Sequence, residues 1–285
     1  MSDLHILLTN DDGIAAKGLA TLRDALESQG HRVSVIAPNR NRGGEGHAVT
    51  FRDNLHVERI DSLGGFTCDG TAADCVRIGV LSGVIPMVDV VFSGINAGVN
   101  LGDDIHYSGT VSAAIEAAML GVPGIAVSQQ PHEGGTPFLT DSDYSYPLAS
   151  AAAALARPAA EQLSGERVLL NVNLPHRLGK EPWVQMTSLG RREWSSVRMN
   201  VRPVDGSPGR LTINPWSEPE TVYEAGSDFT AIRSGAVSLS VLAVDQGIRP
   251  VPLSERAEIS LQEAMLAALP EPVPNSRAAQ AEALP

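Results

Sequence analysis

Short apolar runs alternate with helix-spaced leucines through the first half of this chain, and that rhythm constrains the fold more than any other feature. Leu4 to Thr9 is a nearly continuous apolar run, suited to a strand buried on both faces. Leu19, Leu22 and Leu26 then recur at helical spacing, with Gly30 as a stop. Arg32 to Ala37 reads as a second strand ended by Pro38, and a glycine-rich loop follows from Asn39 to Gly46. The stretch from Val49 to Cys68 reads as extended and half polar, a hairpin excursion. Ala72 to Leu81 predicts a helix and Val88 to Ser93 a third core strand. A loop from Gly94 to Tyr107 leads to a helix carrying Val111, Ile115 and Met119 on one face, and Gly124 to Ser128 is a fourth core strand. Strands alternating with helices predict an α/β fold, a Rossmann-like, doubly wound, mostly parallel sheet with right-handed crossovers, over residues 1–180.

The pattern changes after about residue 130. Tyr146 to Ala156 reads as an alanine-rich helix and Val168 to Leu174 as a strand. From Trp183 to Val222 helical periodicity is scarce, and all three tryptophans, Trp183, Trp194 and Trp216, lie there. Residues 181–235 are expected to form an extended β arm. Either it packs against another subunit or it is a β sub-domain of the same chain, and the two readings stand level. Asp228 to Ser234 predicts a short helix, Val237 to Val241 a strand, and Ser254 to Leu269 a last helix with Ser254 as N-cap. Residues 236–269 thus return to the core, and the Pro/Ala-rich tail 270–285 is expected to be disordered.

Composition narrows the function. With 33 acids against 21 bases the net charge is −12, which argues against bulk binding to nucleic acid. A small anionic substrate would need a local site that overcomes the overall repulsion. Cys68 and Cys75 fit no zinc pattern, C-x-x-C pair or disulfide framework and read as reduced, buried thiols. The N-terminus lacks the basic region of a signal peptide, and Ile78 to Ile95, interrupted by Pro86 and Asp89, falls short of a membrane span. The expectation is a soluble cytoplasmic protein.

In open α/β sheets ligands sit beyond the carboxyl ends of the strands. Four segments there have unusual compositions. Asn10-Asp11-Asp12-Gly13 sets two carboxylates side by side, which is costly unless a cation stands with them. The plain structural reading is one aspartate capping the next helix and the other solvated. Asn39 to Gly46 holds Arg40 and Arg42, with Gly43 and Gly44 permitting close backbone approach; a solvated basic turn is its plain reading. Ser93 to Asn100 carries Asn96, whose neutral oxygen suits a hard metal but equally a turn. Tyr107-Ser108-Gly109-Thr110 precedes a helix, where free N–H groups and the dipole favour phosphate, or where Ser108 is simply the N-cap. No single loop decides between the two readings. G-x-G-x-x-G in the first turn, G-x-x-x-x-G-K-[ST], G-x-S-x-G and H-E-x-x-H are all absent, and His47 and His106 read as incidental.

Taken in order, these loops resemble the SurE survival-protein nucleotidases. Ile6 to Ile14 is similar to that family's opening motif, and Val35-Ile36-Ala37-Pro38 with Arg40-Asn41-Arg42 to its second loop. Gly70 to Val76, Ser93 to Gly98 with Asn100 and Gly102, and Tyr107 to Val111 are similar to its next three motifs. Weaker echoes include Asn171-Val172-Asn173 and Asp228 to Val241, so the resemblance runs over roughly residues 4–245. It implies a metal-dependent phosphatase of nucleoside 5′- or 3′-monophosphates, with a Rossmann-like core and an arm exchanged within a dimer, or a tetramer. It implies Asp11, Asp12 and Asn96 as ligands of Mg²⁺ or Mn²⁺, and Ser108, Gly109 and Thr110 at the phosphate, with Asn10, Arg40, Arg42, Gly43 and Gly44 lining it. The family's second loop also supplies a serine ligand. Here Gly43 stands at that place, Asn39 at an aspartate and Ala72 at a proline. A water, Asn41 or Glu45 is the replacement the loop offers.

The expected chemistry is phosphomonoester hydrolysis at a metal that polarises the phosphoryl oxygens, by attack of water or through Asp11 or Asp12 as nucleophile. The partner is a small phosphorylated molecule, with neither nucleic acid nor membrane. Two alternatives follow from the altered loop: a pathway phosphatase with a narrow, non-nucleotide substrate, and a degenerate member that binds nucleotide or metal without turnover.

Overall fold

The computed structural model describes residues 3–131, 144–180, 182–204, 209–214, 219–244, 249–250 and 254–270. Trp216 and the tail 271–285 lie outside the described residues. Strand and helix alternate as β1 (His5–Thr9), α1 (Lys17–Ser28), β2 (Arg32–Pro38), β3 (Val57–Ile60), β4 (Gly65–Cys68), α2 (Ala72–Leu81), β5 (Val90–Asn96), α3 (Gly109–Met119) and β6 (Gly124–Gln129). Then come α4 (Tyr146–Ala153), α5 (Ala156–Gln162), β7 (Val168–Leu174), β8 (Val184–Met186), β9 (Arg191–Glu193), β10 (Asn200–Pro203), β11 (Leu211–Asn214) and β12 (Glu220–Val222). The chain returns through α6 (Asp228–Arg233), β13 (Val237–Ala243), β14 (Arg249–Pro250) and α7 (Glu255–Ala268).

The main sheet has ten strands in the order β14-β13-β7-β6-β5-β1-β2-β4-β3, with β8 also pairing β13. From β4 to β7 every pairing is parallel, whereas β3 and β13 run antiparallel to their neighbours β4 and β7. Alternate residues of one strand serve opposite faces, as a pleat requires. Ile6 and Leu8 join a cluster with Leu19, Leu22, Leu26, Leu148 and Leu261, so α1, α4 and α7 cover that face. Leu7 points the other way, to Val76, Ala113 and Ala117 of α2 and α3. Helices on both faces explain why the core strands read as continuous apolar runs instead of alternating.

The chain winds outward from β1 through β2 to β4, then crosses back to lay β5 on the other side of β1. The loops after β1 and β5 therefore leave in opposite directions, and a crevice opens between their carboxyl ends.

Several boundaries differ from expectation for local reasons. The helix expected over Tyr146 to Ala156 is two, because Pro158 in the first turn of α5 has no N–H for the Ala154 carbonyl. The loop expected from Gly94 starts later: β5 runs on to Asn96 through a register shift against β6 between Ser93 and Asn96. Of the stretch expected as an arm, β8 lies in the main sheet beside β13, and α6 packs on β13 and β7. Between them, among the described residues, β9 pairs only β12 and β10 only β11. Cys68 and Cys75 are free and buried, as anticipated. Among the described residues no helix is long and apolar enough to cross a membrane.

Candidate active site

The loop after β1 is shaped by Asn10. Its side chain is fully buried, its Oδ1 accepts the Gly13 N–H at 3.1 Å, and its Nδ2 donates to the Gly13 carbonyl at 3.0 Å. Both ends of the amide thus bond to Gly13, and Asn10 closes the turn. The closed turn aims Asp11 and Asp12 into the crevice between β1 and β5.

Asp11 is 4% exposed. The Thr110 hydroxyl donates to its Oδ1, and the N–H groups of Gly109 and Thr110, in the first turn of α3, face its carboxylate. Burial raises the Asp11 carboxyl above the ordinary value; those donors oppose the rise without cancelling it. Gly109 is needed for this contact, since a Cβ there would stand 2.7 Å from the Asp11 Cβ and 2.8 Å from Oδ2. Ser108 is the N-cap, its Oγ accepting the Val111 N–H at 3.1 Å. The start of α3 therefore holds a carboxylate of its own chain, and Ser108 caps the helix.

Asp12 lies nearer the surface. Its Oδ1 accepts the Asn41 amide at 3.1 Å, and its Oδ2 is shut off from solvent with no partner among the described residues. The carboxyl is pushed up to about 6, by burial first and by the Asp11 charge second, against the pull of the Ala97 N–H and the Asn41 amide. An orphaned buried carboxylate oxygen beside a second buried carboxylate is costly. It is the donor pattern a hard divalent cation satisfies, since such a cation inverts the repulsion that raises both acids. Asn96 ends β5 across the crevice, its Nδ2 donating to the Gly98 carbonyl at 2.9 Å, so the amide oxygen is turned away from that bond. The Ala97 N–H, next in the chain to Asn96, acts on the Asp12 carboxyl, so this strand end lies beside the paired acids, and two carboxylates with an amide oxygen would make an all-oxygen donor set. Among the described residues no group of three His, Cys, Asp or Glu side chains offers another.

The second loop closes over this pair. The Arg42 N–H donates to the Asp11 carbonyl at 2.7 Å and the Gly46 N–H to the Tyr107 carbonyl at 3.2 Å. The Arg42 guanidinium turns away, bonded to the Asp69 carbonyl and 3.4 Å from Glu45. Arg40 is exposed and bonds weakly to the Asn41 carbonyl, at 3.4 Å. Gly43 and Gly44 are exposed, and a Cβ on Gly44 would meet nothing within 4 Å.

Other contributors had no assigned role in the sequence. His47, read as incidental, bonds Glu116 of α3 at 2.9 Å, and Arg77 of α2 takes the other oxygen at 2.8 Å. Burial raises the Glu116 carboxyl, but the bonds to His47 and Arg77 outweigh it and leave the value lowered. Asp228, fully buried, accepts the N–H groups of Gly102, Gly190 and Phe229 at 2.7–2.8 Å, tying the loop beyond Asn96 to β9 and α6. Asn100 is gripped by Asn171, Asn173 and Ser128. The resemblance over Asp228 to Val241 was the sequence hint for the second of these clusters.

A family model described as survival protein SurE matches residues 6–196. The 5′-nucleotidase SurE of Rubrobacter xylanophilus is 42% identical over 253 residues, spanning 85% of this chain and 92% of that protein. The 5′-nucleotidase SurE of Geobacter sulfurreducens is 39% identical, over 85% and 88% of the two chains. The SurE protein of Aquifex aeolicus, known from a crystal structure, superposes with a TM-score of 0.67 at 34% identity over 85% of this chain and 94% of that one. By sequence along most of its length, and by the architecture that carries the paired aspartates, this chain belongs to the SurE family.

Proposed function

We propose that the protein is a divalent-metal-dependent phosphomonoesterase that hydrolyses nucleoside monophosphates to nucleoside and phosphate. The observation that carries this reading is the Asp11–Asp12 pair at the switch point of the sheet, with Asp12 Oδ2 shut off from solvent and without a partner among the described residues. Relatives called 5′-nucleotidases, at up to 42% identity over most of the chain, point to the same chemistry.

In this reading Asp11, Asp12 and Asn96 hold Mg²⁺ or Mn²⁺, which when bound supplies Lewis-acid polarisation of the phosphoryl oxygens. Gly109 and Thr110 fix the Asp11 carboxylate through the α3 N-terminus, so the donor set is in place before substrate arrives. Asn10 keeps the turn closed. Arg40 is the exposed cation of the second loop and meets the substrate phosphate, offsetting locally the chain's net charge of −12. Arg42 acts through its backbone N–H, which holds the loop to Asp11. Gly43 and Gly44 keep the loop rim open, and Ser108 caps α3 beside the phosphate. The attacking group is water, which has access from the exposed rim.

The exposed strands β10 and β11 support a second part of the reading, a homodimer or tetramer in which this ribbon lies against another copy. Val201, Leu211 and Ile213 are each at least half exposed.

The test is phosphate release from a panel of nucleoside 5′- and 3′-monophosphates and unrelated phosphomonoesters, with Mg²⁺, Mn²⁺ or chelator. Metal-dependent release from several nucleotides is the expected result. Release confined to one non-nucleotide ester would replace the substrate class, and no release from folded protein under any metal would leave a binding protein without turnover.

A further inference from the structure

We propose that the Asn41 side chain is a ligand of the divalent cation, delivered to Asp11 and Asp12 by the second loop; this rests on the metal-site reading above. The amide already lies on the paired acids, with Nδ2 3.1 Å from Asp12 Oδ1. In that pose the N–H end presents partial positive charge to the carboxylate and so stands in for a cation. A half-turn about the last side-chain torsion exchanges the two ends of an amide at almost no steric cost, since oxygen and nitrogen have nearly the same size. It would bring Oδ1, a hard neutral donor, to where Nδ2 now stands.

The turn exchanges the bond that Oδ1 accepts from the Gly43 N–H at 2.8 Å for two N–H groups facing each other, so the exposed Gly43 backbone must swing aside, after which water takes its N–H. The space is reserved as well: a Cβ on Gly43 would stand 3.1 Å from Asn41 Oδ1, tighter than ordinary contact. Gly43 has no left-handed backbone that would itself require glycine, so the neighbouring amide is the feature that a side chain there would disturb. The other candidate donor in the loop, Glu45, is paired with Arg42. Asn41 is also well placed to keep its position, because the next residue's N–H is fixed on the Asp11 carbonyl at 2.7 Å.

The experiment measures Mn²⁺ affinity of the full chain directly, by the electron paramagnetic resonance signal of free Mn²⁺, with melting curves recorded in chelator to check folding. Asn41→Ala should weaken binding about tenfold, with the melting curve unchanged. Asn41→Asp, which keeps an oxygen and loses the N–H, should bind as tightly as the natural chain or tighter. Gly43→Ala should weaken binding in the natural chain and add nothing in the Asn41→Ala background. If Asn41→Ala binds like the natural chain while Asp12→Asn does not bind, the proposal is overturned and the metal site stands. If Asn41→Asp weakens binding, Asn41 is only an N–H donor to Asp12, and the proposal again fails. If Asp12→Asn binds like the natural chain, the metal-site reading fails and takes this one with it.

Discussion

The parallel core and the ribbon of β10 and β11 both carry aliphatic β-forming residues, yet these reach opposite states. Leu7, Leu8, Val91 and Phe92 are fully buried in strands covered by helices on both faces. Val201 and Ile213 sit opposite each other across β10 and β11, and each remains 50% exposed. A lone two-stranded ribbon has one neighbour per strand and no layer above it, so it cannot bury its own apolar side chains. The difference teaches that the core strands bury their apolar side chains within one chain, whereas those of the ribbon stay exposed in it. The active-site candidates all lie on the core side of that divide, at the ends of β1, β2 and β5 and the start of α3.

The comparison can be broken at its rigid end first. Asp12→Asn should abolish metal-dependent phosphate release, a loss of at least about a thousandfold or ~4 kcal/mol of transition-state stabilisation, while circular dichroism stays native. Survival of activity would remove the paired acids from the mechanism. Gly109→Ala comes next, because its Cβ would meet Asp11 at 2.7 Å. Overpacking of this kind costs about 1–3 kcal/mol, and it should lower both the denaturation midpoint and kcat, since the α3 turn and Asp11 must part.

Glu116→Gln tests the cross-link between the second loop and the core. It should destabilise the chain by about 1–2 kcal/mol at neutral pH. The natural carboxyl is held below its ordinary value of 4.5, so its stabilisation is fully present above that pH and fades as pH falls through the lowered folded-state value. Denaturation midpoints of the two proteins should therefore converge in strong acid; a constant gap across pH would assign the effect to packing. Paired Val201→Lys and Ile213→Lys is the mildest change to the subunit. In a solvated ribbon such substitutions alter stability by less than about 0.5 kcal/mol. Sedimentation velocity should nevertheless show a smaller assembly, and an unchanged one would mean that the ribbon is not the contact.

Much of this organisation was legible because it depends on local chemistry. Ser254 as cap of α7, the span of α2 and the span of β7 follow from capping residues and periodicity, which act over a few neighbours. Asp11 and Asp12 stood out because adjacent carboxylates at a strand end are unusual. The division of labour inside the site was hidden. Arg40 and Arg42 look alike in sequence, but one is exposed and the other is spent on Asp69 and Glu45. Asn10 and Asn96 look alike too, and one is consumed by its own turn. Glu116 gave no signal, since its partners lie 39 and 69 residues away.

The sequence by itself determined the alternation of strands and helices, the caps and the set of polar loops, because these rest on side-chain periodicity and on bonds between near neighbours. Only the tertiary structure decided which of those polar groups meet. The return crossover places β5 beside β1, and α3 turns its first N–H groups onto Asp11. Burial there, which no local window can register, raises both carboxyls and leaves Asp12 Oδ2 without a partner among the described residues.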